Sequence, residues 1–146
     1  MKNIPIGQIL VENGFLKEDQ LEEALEKQRS EPGKKLGDVL LELGYVSETQ
    51  LAQALSIRLK VPFIDLTTTK IDIEAVKKIP EAIAKKNCCV AFQMNDSRLT
   101  VATDDPINFY IFEELKVISG MEIHAMIATR TAINETISKA YSQQTV

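Results

Sequence analysis

Residues 6–59 carry one pattern twice, and that duplication limits the folds open to the chain more than any other feature. Gly7–Gln28 aligns with Gly37–Arg58 at an offset of 30 residues without a gap. Gly7/Gly37, Leu10/Leu40, Glu12/Glu42, Gly14/Gly44, Glu18/Glu48, Gln20/Gln50, Leu21/Leu51, Ala24/Ala54 and Leu25/Leu55 are identical. Ile9/Val39, Phe15/Tyr45 and Leu16/Val46 are close substitutions. Nine identities in 22 positions, with both glycine pairs in register, mark a duplicated structural unit.

Each copy reads as a short helix, a glycine stop and a second helix. Ile6, Ile9 and Leu10 fall at i, i+3 and i+4 on one face. Gly14 suits the left-handed position that ends a helix. Leu21, Ala24, Leu25 and Gln28 then share a face of the next helix. In the second copy Leu36, Val39, Leu40 and Leu43 precede Gly44, and Ser47 with Gln50 forms a capping box before Leu51, Ala54, Leu55 and Arg58. Ser30–Lys34, containing Pro32-Gly33, is the turn between copies. The repeated leucines are the core of a small helical bundle on the plainest reading. Gly7 and Gly37 resist it, because glycine in a helix costs about 1 kcal/mol relative to alanine. Glycine there lets a partner or ligand approach the backbone closely, and a duplicated unit suits a ligand with two equivalent halves.

At 146 residues the chain is one domain or two small ones. Its net charge of −4 is shared equally by residues 1–60 and 61–146, and no basic tract points to nucleic acid. No apolar run approaches the roughly 18 residues of a membrane span, and no secretory signal opens the chain. Cys88 and Cys89 are adjacent, an arrangement poorly suited to a structural disulfide, which points to reduced thiols and the cytoplasm.

The second half, residues 61–146, reads β-α-α-β-β-α-β-α. Val61–Leu66 reads as an edge strand opened by Pro62. Asp72 caps a short helix reaching Lys78, and Pro80 starts another. Cys88–Gln93 and Arg98–Thr103 form a hairpin around Asn95-Asp96-Ser97. Asp105-Pro106 reads as an N-cap and first helical residue, and Gly120 stops that helix. Met121–Ile127 is the last strand. Thr129 or Thr131 begins a final helix with Ile133, Ile137, Ala140 and Tyr141 on one side, and the polar tail Ser142–Thr145 is expected to fray. The class expected is α+β: a tandem-repeat helical subdomain over residues 1–60, with copies at 6–28 and 36–58. A small α/β subdomain with a mostly antiparallel sheet covered by helices follows.

The chain contains no GxxxxGK[ST], GxSxG or HExxH sequence and no Cys/His set spaced for zinc. His124, the only histidine, reads as a structural strand residue, and Cys88 and Cys89 as packing residues. Asp104 and Asp105 are a paired-carboxylate candidate, but the N-cap reading explains Asp105 with fewer assumptions. Nothing here makes an enzyme, and no cofactor or metal is expected.

The duplicated G-x-ϕ-L-x-E-x-G-ϕ-ϕ-x-E-x-Q-L-x-x-A-L pattern resembles the N-terminal domain of the type II secretion and type IV pilus assembly ATPases. VPFIDL, IPEAIAKKN and RLTVATDDPINFYIFEEL in the second half are similar to runs of the same family. The resemblance spans essentially the whole chain. It implies an isolated domain or fragment of a longer, hexameric motor protein, placed ahead of the ATPase core. It also implies a cytoplasmic location, peripheral to an inner-membrane machine, with the cytoplasmic domain of an assembly-platform protein as partner.

In one branch of that family the two copies embrace cyclic di-GMP, leucines packing on the guanines while Arg and Gln make polar contacts. Carried over, that branch implies a ligand-binding set of Ile6, Gly7, Leu10, Gly14, Leu21, Leu25 and Gln28 from copy one. Copy two supplies Lys35, Leu36, Gly37, Asp38, Leu40, Leu51, Leu55 and Arg58, and Asp105 joins from the second half. The chain departs from the branch pattern at its polar positions. Pro5 stands in place of the first Arg, Lys35 in place of the second and Arg58 in place of the second Gln. Lys35 keeps the charge but lacks the planar fork of Arg. Two functions follow from the resemblance: a cyclic di-GMP receptor, or a protein-docking module with a degenerate motif.

Overall fold

A computed structural model describes residues 5–142, so Gln143, Gln144 and Thr145 of the expected frayed tail lie outside the described residues. The chain divides into two compact units at Lys60/Val61. Among the described residues there are eight helices and three strands, an α+β composition.

The first unit holds α1 (Ile6–Glu12), α2 (Glu18–Ser30), α3 (Leu36–Leu43) and α4 (Glu48–Leu59). Gly14 follows α1 at φ 75° and Gly44 closes α3 at φ 74°, the left-handed conformation in which glycine carries no steric penalty. Gln20 Oε1 accepts from the Lys17 N–H and Gln50 Oε1 from the Ser47 N–H, each at 3.0 Å. The identity of this glutamine in both copies therefore has a local cause: it satisfies an orphan donor at the start of each long helix. Helices pair across the copies, with α1 packed on α4 and α2 on α3. Ile9, Leu10, Leu16 and Ala24 meet their counterparts Val39, Leu40, Val46 and Ala54 in one core.

The second unit contains α5 (Ile73–Val76), α6 (Glu81–Asn87), β1 (Cys89–Met94), β2 (Arg98–Thr103), α7 (Phe109–Ser119), β3 (Glu122–Ile127) and α8 (Arg130–Ser142). The sheet order is β1-β2-β3. β1 and β2 form the antiparallel hairpin, with a register shift between Ala91 and Gln93. Asn95 Oδ1 closes the turn by accepting from the Ser97 and Arg98 N–H groups. Phe92, Val90, Leu99 and Val101 are fully buried in the core of this unit, and α5, α6 and α8 pack against the sheet. Tyr141 Oη donates to the Ile79 carbonyl at 2.6 Å, fixing α8 to the turn that follows α5.

Three expectations need correction. The sheet is mixed rather than mostly antiparallel, because β3 runs parallel to β2 in the register Arg98↔Glu122 to Thr103↔Ile127. The helical connection through α7 returns the chain to the end from which β2 started, which makes the pair parallel. Val61–Leu66 forms only an isolated parallel bridge, Phe63↔Ile127, instead of a strand. The chain turns away at once, where Asp65 Oδ1 accepts from the Thr67 N–H and hydroxyl. Asp105 does not cap α7. Its N–H donates to Thr103 Oγ1, a turn follows, and Asn108 Oδ1 accepts from the Ile111 N–H, so the helix begins at Phe109.

Candidate functional site: the tandem helical motif

In both copies the residues that shape the motif come from the short helix and from one side of the long helix. A Cβ built on Gly7 would lie 2.6 Å from Leu21 Cδ1 and 3.3 Å from Leu36 Cδ2. One built on Gly37 would lie 3.0 Å from Leu51 Cδ2. Each glycine is thus overlaid by the leucine fourteen positions later in its own copy, and Gly7 also by a leucine of the other copy. The close approach that glycine permits is made here by side chains of the unit itself.

The carried-over residues fall into three groups. Leu10 and Leu40 are fully buried and serve as core. Ile6, Leu21, Leu36 and Leu51 are half-buried against that core. Leu25 and Leu55 are half-buried too, and they extend the rows begun by Leu21 and Leu51 past the fully buried Ala24 and Ala54. Two equivalent leucine pairs, Leu21/Leu25 and Leu51/Leu55, therefore keep part of their apolar surface open. This arrangement can offer flat aromatic rings two similar platforms.

The polar members do not repeat. Pro5 precedes α1 and Lys35 precedes α3 at equivalent positions, both exposed. Gln28 is half-buried and its Nε2 donates to the Lys34 carbonyl at 2.9 Å, tying the end of α2 to the inter-copy turn. Arg58 is exposed in the last turn of α4, and Asp38 in the first turn of α3. Gly14 and Gly44 are exposed helix stops with nothing near a built Cβ. Asp105 belongs to the second unit.

An electrostatic clamp escaped the sequence reading. Glu42 on α3 takes Lys34 from the turn and lies 3.7 Å from Lys27 Nζ on α2. Tyr45 Oη donates to Glu23 Oε2 at 2.6 Å. The carboxylate of Glu23 raises the Tyr45 phenol above its ordinary value by accepting that bond. The Lys27–Glu42 and Tyr45–Glu23 pairs depend on α2 lying against α3 and its following turn, so the cross-pairing of helices brings them together.

In the second unit, burial raises the Cys88 thiol to about 11 and the Cys89 thiol to about 12, with Asp104 adding to the first and Cys88 to the second. Both thiols are protonated at neutral pH and pack as the sequence suggests. Asp104 is engaged by Arg130, at 2.9 Å from Nη2 and 3.0 Å from Nε, which removes it from a carboxylate pair with Asp105. Among the described residues no group of three or more His, Cys, Asp or Glu could hold a metal ion, and no helix is long and apolar enough to cross a membrane.

A protein-family model, the MshEN domain, matches residues 59–146. The chain belongs to the MshEN domain family. The match lies over the second unit, and similarity to individual proteins extends across the tandem motif. The structure of MshE with cdg is 33% identical, covers 94% of this chain and 99% of that one, and superimposes with a TM-score of 0.79. The type IV pilus assembly ATPase PilB of Myxococcus xanthus (strain DK1622) is 29% identical over 139 residues, or 95% of this chain. The chain spans 24% of that relative's length. The N-terminal domain of XpsE, at 22% identity and a TM-score of 0.67, shares the fold. The MshEN chain is thus of the N-terminal-domain type that the sequence resemblance indicated.

Proposed function

We propose that this MshEN domain is a non-catalytic receptor module that binds cyclic di-GMP, the cdg of the MshE structure, on its tandem motif and passes that state to a motor. One observation carries the reading. The duplicated leucines Leu21/Leu25 and Leu51/Leu55 present two equivalent, half-open apolar platforms, in a chain 33% identical to MshE over 94% of its length. Guanines pack on the leucines, while Lys35 and Arg58 balance the phosphates. The parent protein would then be an ATPase of a secretion or pilus machine. This domain would sit ahead of the ATPase core in the cytoplasm and engage the cytoplasmic part of an inner-membrane platform protein. Coupling requires only that the ligand favour one arrangement of the motif over another.

The test is isothermal titration of the chain with cyclic di-GMP, with GTP and cyclic di-AMP as controls. Saturable binding at micromolar affinity or tighter, lost in Leu25→Ala and weakened in Lys35→Ala, is the expected outcome. No heat at about 100 μM ligand would overturn the receptor reading. Two features favour the second reading, a docking module that binds no nucleotide. Pro5 supplies no cation where the first Arg is expected, and the Gln28 amide is already used by the Lys34 carbonyl.

A further inference from the structure

Five of the six exposed large apolar side chains among the described residues fall between positions 107 and 118: Ile107, Phe109, Tyr110, Val117 and Ile118. All but Ile107 lie on α7. That helix is apolar on both sides. Ile111, Phe112 and Leu115 pack into the core of the second unit. At about 100° per residue, Phe109, Glu113, Val117, Tyr110, Glu114 and Ile118 share the opposite half in that angular order. Tyr110 and Val117, at its centre, are 91% and 83% exposed. Large apolar side chains on the face turned away from a helix's own core are ordinarily covered, and an open patch of this kind marks an interaction surface.

The charges on the patch define what covers it. Glu113 and Glu114 stand between the apolar side chains, both exposed, and form no ion pair among the described residues. Lys116 is the only cation on the helix. A second copy docked face to face would set these carboxylates against themselves, and an anionic bilayer would be repelled by them. A helix with an apolar stripe flanked by Lys or Arg meets both demands, its stripe covering Tyr110 and Val117 and its cations reaching Glu113 and Glu114. We infer that the outer face of α7 docks a basic amphipathic helical segment of a partner protein. The surface uses none of the tandem-motif residues and stands whether or not that motif binds a nucleotide.

The probe is a fluorescein-labelled Leu/Lys peptide of about five helical turns, with its leucines on one face. Comparators are a Leu/Glu peptide of the same spacing and a Leu/Lys peptide scrambled to lose the stripe. Anisotropy titrations should show saturable binding of the first peptide and not of the other two. Affinity should fall roughly tenfold or more in Tyr110→Ser/Val117→Ser. A similar fall is expected in Glu113→Lys/Glu114→Lys, which should also begin to bind the Leu/Glu peptide. All four side chains are exposed, so circular dichroism melts of the variants should match the wild type. Unchanged affinity in both variants, or equal binding of the scrambled peptide, would overturn the proposal. So would sedimentation showing self-association abolished by Tyr110→Ser/Val117→Ser, or flotation of the chain with phosphatidylserine-containing vesicles lost in the same variant.

Discussion

In the helical unit α1 lies on α4 and α2 lies on α3 through equivalent backbone, yet the two contacts differ in chemistry. Duplication has kept what the backbones need to meet: the glycine of each short helix, the leucine over it and the alanine at each crossing. The rims have diverged. Lys27, Glu42, Tyr45 and Glu23 link α2 to α3. The equivalent positions at the α1–α4 contact hold Ile57, Glu12, Phe15 and Gln53, which form neither an ion pair nor a phenol–carboxylate bond. Close packing is therefore the shared architecture of the repeat, and electrostatics is a property of one half. The polar ligand-binding candidates divide differently, by copy, with Lys35 and Arg58 of copy two at the positions that Pro5 and Gln28 hold in copy one.

The largest effects should come from the shared part. Leu10 and Leu40 are equivalent and fully buried. Leu10→Ala and Leu40→Ala should each cost about 2–5 kcal/mol, read by urea denaturation followed by circular dichroism. If the halves are packed alike, the two costs agree within about 1 kcal/mol. A clearly smaller loss at either position would show that its half is not closed around the common core.

The glycines should separate the halves by a smaller amount. Alanine gains about 1 kcal/mol of helix preference, while forcing a methyl into a packed site costs roughly 1–3 kcal/mol. The Cβ at position 7 meets Leu21 at 2.6 Å and Leu36 on another side, whereas at position 37 the first contact is Leu51 at 3.0 Å. Gly7→Ala should be destabilising by about 1–2 kcal/mol and Gly37→Ala by no more than about 1 kcal/mol. Adding Leu21→Val should recover part of the Gly7→Ala loss. Equal costs would mean that the leucines yield freely and that the motif glycines answer to something other than this packing.

Much of this was legible in the chain, for reasons that are local. Gly14, Gly44 and Gly120 ended helices, Ser47 with Gln50 began one, and the stripe Ile133, Ile137, Ala140 and Tyr141 identified the buried side of α8. What stayed hidden depends on three-dimensional partners. The direction of β3 follows from where α7 returns the chain. Asp105 resembles a cap in sequence, but Thr103 and Asn108 take over the bonding around it. In the motif, the leucine spacing does not separate Leu10 and Leu40, which are core, from Leu25 and Leu55, which stay half-open. The availability of Gln28 is likewise decided by a carbonyl six residues away.

The smallest effect expected is electrostatic and confined to one half. Lys34, by its hydrogen bond, holds the Glu42 carboxyl below its ordinary value of 4.5, against the opposing pull of burial. Glu42 in turn raises Lys34 above 10.5. The stabilisation from Glu42 is therefore complete above pH 4.5 and fades as pH falls through its lower folded value. That from Lys34 is complete below pH 10.5 and fades as pH rises past its higher one. Between these limits stability should be flat with respect to this pair. Both groups face solvent, so the change is small and screened by salt. Urea midpoints compared between about pH 5 and about pH 3 should fall further in the wild type than in Glu42→Gln, and the difference should shrink in about 1 M salt. The control is Glu12→Gln, at the equivalent place in copy one, where the positions matching Lys34 and Lys27 hold the uncharged Ile4 and Ile57. If both substitutions change the acid slope alike, the two contacts differ in sequence without differing in their electrostatics.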